Sequence, residues 1–242
     1  KWPSAFYCFA VSFLGIGMPV LVILYWLFKG LEQGESTSLL GEYVVNSAQA
    51  SGAAAALAVG ASLPVALLSV RHAGPVSSTI EKLAYAGQSL PGITIALALV
   101  FFSANYLNPF YQTLSVLVFA YAIRFLPEAL GATRAAMLQV NPHTEEAARG
   151  LGAGPFRTFF RVTAPQILPG MSAGGLLVFL TAMKELPITL LLSPIGYDTL
   201  ATRVWSSTTQ AFFTEAALPA LMLVAVSAVA VVLLLRREQE RQ

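Results

Sequence analysis

The feature that most limits what this chain can fold into is the length of its uncharged runs. Trp2 to Phe28, Tyr43 to Val70 and Leu83 to Ile123 contain no Asp, Glu, Lys or Arg. A helix needs roughly 20 mostly apolar residues to cross the hydrocarbon of a bilayer. Barrel strands would instead be about ten residues long and alternate in polarity, and no such alternation occurs. The reading is all-α: a polytopic membrane protein with six transmembrane helices forming one domain over residues 1–242. The expected spans are about 5–28, 43–70, 83–103, 110–128, 170–192 and 216–235. The turn signal Asn105-Tyr106-Leu107-Asn108-Pro109 divides the longest run, and Pro169-Gly170 precedes the fifth span.

Composition supports this class and excludes others. Hydrophobic residues are 56% and charged residues 11% of 242, where a soluble domain carries about 25% charge. A net charge of +2 offers nothing to nucleic acid. The single cysteine, Cys8, lies in an apolar run and reads as a small buried hydrophobe; one cysteine makes neither a disulfide framework nor a C-x-x-C site. The opening Lys1-Trp2-Pro3 has no Met and no signal-peptide pattern, so the expectation is that the chain is one part of a longer polypeptide.

Orientation follows from the cations. With the N-terminus inside, the inner segments hold Lys1, Arg71, Lys82, Arg134, Arg149, Arg157, Arg161, Arg236, Arg237 and Arg241, and the outer ones only Lys29 and Arg203. This predicts both termini inside (N-in, C-in). Runs of small residues, Ala50-Ser51-Gly52-Ala53-Ala54-Ala55-Ala56 in the second span and Ser172-Ala173-Gly174-Gly175 in the fifth, suit close helix packing in lipid.

The inner segment Glu128–Pro169 is the longest between spans, and residues 141–165 form its most patterned part. Asn141 is a good N-cap, Pro142 suits the first helical position, and Glu145 and Glu146 favour the helix dipole. Gly150, Gly152 or Gly154 can supply a left-handed turn. Pro155 then opens a second short helix, carrying Phe156, Phe159 and Phe160, that stops near Pro165. The expectation is a compact cytoplasmic protrusion of two short helices joined at a glycine elbow.

Glu146-Ala147-Ala148, three residues, Gly152, nine residues and then Val162-Thr163-Ala164-Pro165 resembles the EAA loop of binding-protein-dependent ABC importer permeases. That pattern is Glu-Ala-Ala, three residues, Gly, nine residues, then Ile, any residue, Leu-Pro. Val162 stands for the Ile and Ala164 for the Leu. The resemblance implies a type I importer permease in the bacterial inner membrane. It also implies a coupling loop of Glu145, Glu146, Ala147, Ala148, Gly152, Val162 and Pro165 that docks on an ABC ATPase dimer. A periplasmic substrate-binding protein and a second six-span permease half would be its other partners. The chain has no G-x-x-x-x-G-K-[ST] sequence. It is therefore expected to be no enzyme and to hold no cofactor, with ATP and Mg bound by the partner ATPase.

Arg124-Phe125-Leu126-Pro127, the stretch Met183 to Leu192, and Gly196 to Trp205 resemble the ferric-iron branch of that family. The thiamine, phosphonate and polyamine branches share parts of the pattern. Lys184 and Glu185, ionisable groups in the fifth span, either line the translocation path or stabilise a break at Pro187 with an ion pair or backbone partner. Arg124 either snorkels to the inner interface or serves as a gate. Tyr197 and Asp198 offer hard oxygen ligands, though Gly-Tyr-Asp-Thr reads equally as an outer turn; residues 193–214 are expected to face the binding protein. Gly87-Gln88-Ser89-Leu90 lacks the last glycine of a serine-protease site, and neither His72 nor His143 lies within a span. A secondary transporter or channel half, with spans broken at Pro64, Pro91 and Pro187, leaves the patterned inner loop unexplained.

Overall fold

The computed structural model describes residues 2–34 and 40–239, and every regular element among them is a helix. Lys1 and Arg241, counted among the inner cations, lie outside the described residues. Five helices are long and apolar enough to cross a membrane, and a sixth crossing results if one bent pair counts as a span. The chain divides into two compact units, Lys1–Ser47 with Asp198–Gln242, and Ala48–Tyr197.

In the first unit, α1 (Trp2–Ser12), a π-helical turn (Phe13–Gly17) and α2 (Met18–Glu32) run on as one helix. α12 (Phe213–Gln239) packs on α2 and on α11 (Leu200–Thr209). The Trp26 and Phe213 rings meet at 5.3 Å. A reciprocal cap of Thr199 and Thr202 starts α11, and the Leu200 N–H donates to Ser47 Oγ at 2.8 Å. Arg203 pairs with Glu215 and lies over the Tyr43 ring. Cys8, expected to be buried, is exposed, because none of the apolar window of its helix is covered by protein.

The second unit holds most of α3 (Leu40–Arg71), then α4 (Pro75–Ser89), α5 (Gly92–Tyr106), α6 (Leu114–Gln139), α7 (Pro142–Gly150), α8 (Pro155–Thr158), α9 (Ala164–Met183) and α10 (Pro187–Leu192). α6 is its axis. It packs chiefly on α9 and also touches α4, α5 and α10. Small side chains permit this: a Cβ added at Gly174 would lie 2.8 Å from the Ala132 Cβ, and one at Gly170 would collide with Ala136. Backbones that approach so closely gain dispersion contacts, which drive association where lipid is as apolar as the side chains. Ala50, Ala54 and Ala58, four residues apart on α3, are fully covered in the same core. Ser62 and Thr133 link α3 to α6 by a buried hydrogen bond of 2.9 Å.

Four expectations about element limits change. The third span is a bent pair, α4 and α5, turning by 104° at Leu90-Pro91. Proline disfavours helical backbone in the residue before it, and Leu90 is extended (φ −90°, ψ 135°). The helix of the fourth span does not stop near 128: α6 runs through Pro127 to Gln139. Pro127 lacks the N–H that would satisfy the Ile123 carbonyl, and that carbonyl faces Gly87, where a Cβ would lie 2.6 Å away. The fifth span is interrupted between Met183 and Pro187. The helix from Pro155 does not stop near Pro165 but continues to Met183 through a π turn at Phe159–Thr163. There the Ala164 N–H reaches back to the Phe159 carbonyl, and the wider turn accommodates the proline that follows.

Candidate functional site

The inner loop is organised by α7 and the start of α8. The Asn141 side chain accepts the His143 N–H at 3.0 Å, capping α7. At the other end Gly152 has φ +81°. The Ala153 N–H donates to the Ala148 carbonyl and the Gly152 N–H to that of Arg149, both at 3.0 Å. This paired closure of a helix end needs a left-handed residue, which glycine supplies without strain. Of the three glycines open at the sequence level, Gly152 takes that position. α8 begins after Gly154 with Pro155 in its first turn.

The acids of α7 part ways. Glu145 is only 9% exposed; its carboxylate accepts from Arg71 Nη2 at 3.1 Å and from Thr163 Oγ1 at 2.8 Å. Glu146 faces outward and pairs with His143 at 3.0 Å. Ala147 is exposed and Ala148 partly so. The apolar tips Leu151 and Phe156 are 90% and 81% exposed. Beside them an open groove of ≈ 640 Å³ runs between the inner end of α3, α7 and α8, with Arg71, His72, Glu146 and Arg149 on its walls. Val162, within the π turn, is partly buried, and Pro165, just beyond that turn, is exposed.

A second cluster forms where two spans are broken. Arg124 donates to the Gly87 and Leu90 carbonyls at the C-terminal end of α4. The break at Pro91 leaves carbonyls without helical partners, and the guanidinium takes them. Glu185 lies in the gap between α9 and α10 and accepts the Ile188 N–H. A Cβ on Gly92 would lie 2.7 Å from Glu185 Oε1, so this carboxylate sits at the N-terminal ends of both α5 and α10. Each charge matches the sign that a helix end favours. Glu185 thus has the backbone partner that was one of its two readings. Lys184, its neighbour, is exposed.

Residue-by-residue sequence reasoning missed the groups that complete both clusters. Tyr121 and Thr189, both buried, hydrogen-bond each other, and the Thr189 hydroxyl donates to the Glu185 carbonyl. The Thr181 hydroxyl lies 2.7 Å from Glu128 Oε2, and Arg124 and Lys184 are the cations facing Glu128. Glu128 did carry a signal, an acid beside Pro127 in an apolar run, whereas Arg71 and Thr163 carried none. Tyr197 is half-buried against the α3 core and hydrogen-bonds the Ala50 backbone. Among the described residues no three His, Cys, Asp or Glu side chains gather as a metal site.

Comparison with known proteins fits this architecture. The sequence profile described as "Binding-protein-dependent transport system inner membrane component" matches residues 6–237. The chain is 40% identical over 227 residues to the Fe(3+)-transport system permease protein FbpB 2 of Haemophilus influenzae, covering 93% of this chain and 45% of that protein. It is 28% identical over 151 residues to the spermidine/putrescine transport system permease protein PotC homolog of Mycoplasma genitalium, covering 60% of this chain and 53% of that one. The chain thus spans about half the length of these curated relatives. In fold it matches a chain in the crystal structure of a bacterial ABC transporter involved in the import of the acidic polysaccharide alginate. That match has a TM-score of 0.71 at 14% identity and covers 99% of this chain and 93% of that one. With nearly its whole length matched, the chain belongs to the family of binding-protein-dependent transport system inner membrane components, the multi-pass inner-membrane permeases of ABC importers.

Proposed function

We propose that this chain is one permease half of an ATP-driven importer whose cargo is ferric iron. The observation that carries the cargo assignment is the 40% identity to the Haemophilus Fe(3+) permease, sustained over 93% of this chain. The polyamine reading has the Mycoplasma relative in its support, at lower identity and over 60% of the chain. Glu146, Ala147 and Ala148, presented outward on α7 and aimed by Gly152, dock in a cleft of an ABC ATPase. Small side chains allow close approach there, and the Glu146 carboxylate meets a basic group of the partner. A second six-span half completes the pathway, and a periplasmic binding protein delivers the cargo to its outer face. ATP binding closes the ATPase dimer, draws α7 with it and turns the two halves outward; hydrolysis turns them back. Arg124, Lys184 and Glu185 lie along the path at the two broken spans, where charged groups in a membrane ordinarily face protein or water.

The test is reconstitution of the full complex in proteoliposomes, with the binding protein loaded in turn with ferric iron, thiamine, a phosphonate or a polyamine. ATP hydrolysis stimulated by the iron-loaded protein and accompanied by iron uptake is the expected result. Stimulation by another loaded form, with no response to iron, overturns the cargo assignment. A chain that co-purifies with no ATPase and moves its cargo on a proton or sodium gradient overturns the importer reading itself.

A further inference from the structure

Glu145 is the one acid of the coupling loop turned away from solvent, and its partners belong to different spans. Arg71 is the last residue of α3, Thr163 ends the π turn that feeds α9, and the carboxylate of Glu145 holds both. The same Arg71 Nη2 that reaches Glu145 also lies 3.3 Å from the carbonyl of Val140, the residue that ends α6. One guanidinium and one carboxylate therefore join α7 to the inner ends of three spans. Beneath them Met137, Val140 and Ile167 form a covered apolar bed with Leu67, Val70 and Phe159.

A charged pair is a poor means of stabilising such a place. Desolvation offsets most of the attraction, and apolar side chains of similar volume often do as well or better. What the pair adds is direction and register: a bidentate-capable guanidinium and a carboxylate with one further partner, Thr163, hold one geometry, where apolar side chains can slide. The far end of α7 has the opposite character, a glycine turn at Gly152 with open space around it. Force applied to α7 thus meets a firm attachment at Glu145 and a hinge at Gly152.

We infer that Arg71, Glu145 and Thr163 form a transmission strut, positioning residues that convert displacement of α7 into movement of α3 and α9. This rests on the proposal that α7 docks on the ATPase, and it gives two neighbouring acids different roles. Glu146 meets the partner, and Glu145 passes the motion on. Cargo plays no part in the argument, so the strut stands apart from the ferric-iron assignment.

The experiment is hydrogen–deuterium exchange on the complete complex with its ATPase, with and without Mg·ATP and vanadate. In the wild-type complex, nucleotide should alter exchange in α7 and in the inner turns of α3 and α9. In Glu145→Gln and in Thr163→Val the change in α7 should persist, while those in α3 and α9 should fall by roughly tenfold. The double variant Arg71→Met/Glu145→Leu removes both charges together and leaves no unpaired charge, so it guards against simple misfolding. It should unfold no earlier than wild type yet remain uncoupled. Responses of α3 and α9 that persist in the folded variants overturn the strut, as does recovery of those responses in the apolar double variant. Loss of the α7 response itself in Glu145→Gln also overturns it, since Glu145 would then serve docking. If α7 in the wild-type complex does not respond to nucleotide, while Glu146→Ala leaves ATPase association intact, the docking proposal fails and the strut fails with it.

Discussion

At the scale of single residues, position on a helix end decides more here than chemical type. Gly152 matters because its φ is +81°, a region that costs a side-chain-bearing residue about 1–2 kcal/mol and a β-branched one more. Gly152→Val should leave the protein in the membrane but re-aim the turn after α7; cargo uptake should fall by an order of magnitude while ATPase association weakens, both measured in proteoliposomes. Gly150→Ala is the control. Its added Cβ meets nothing within 4 Å, and replacing glycine inside a helix stabilises by about 0.5–1 kcal/mol, so uptake should be unchanged. Glu185→Gln probes the other cluster. The amide still accepts the Ile188 N–H, so folding should survive, and loss of uptake with basal ATP hydrolysis intact is the outcome expected of a path residue. Unchanged uptake would assign Glu185 to supporting the break alone. Gly152 was legible in the sequence as one of three glycines; the inward turn of Glu145 was not, because burial depends on Arg71, 74 positions away.

At the scale of elements, prolines and glycines act together. Two π turns, Phe13–Gly17 and Phe159–Thr163, each stand just before a proline, Pro19 and Pro165. Each lets a helix pass a residue with no N–H, which is why Pro165 failed as a stop signal. Pro127 is passed differently, with its freed Ile123 carbonyl turned toward Gly87. Pro91 instead bends its span sharply, and there Arg124 takes the exposed carbonyls. A sequence pattern counts a proline as a break; whether it is one depends on what satisfies the orphaned carbonyl. Gly87→Ala and Gly174→Ala should each destabilise by about 1–3 kcal/mol through overpacking, read as a lower unfolding temperature in detergent. Equal stability of both variants with wild type would contradict the close α4–α6 and α6–α9 approaches.

At the scale of the whole molecule, long uncharged runs and a lopsided distribution of cations were enough to read an all-α membrane protein, and the resemblance carried by the inner loop made it a permease. The family match across residues 6–237 agrees with that reading. The chain spans about half of its curated relatives, and the path proposed above is built from two halves. Proteoliposomes holding this chain and its ATPase without a second half should therefore show no cargo uptake, and adding the second half should restore it. Uptake by the single half would refute the two-half arrangement.

Sequence alone determined the helical membrane class and the family resemblance of the loop, since both are local properties: hydropathy over about 20 residues, and the spacing from Glu146 to Pro165. Tertiary structure decided which spans break, and which charges are spent holding those breaks. It also decided that Glu145 faces its own protein while Glu146 faces outward. Those outcomes depend on partners distant in the chain, Arg124 with Gly87, Glu185 with Gly92, Arg71 with Glu145, and no local pattern records which carbonyl or carboxylate will be left without a partner until the helices have packed.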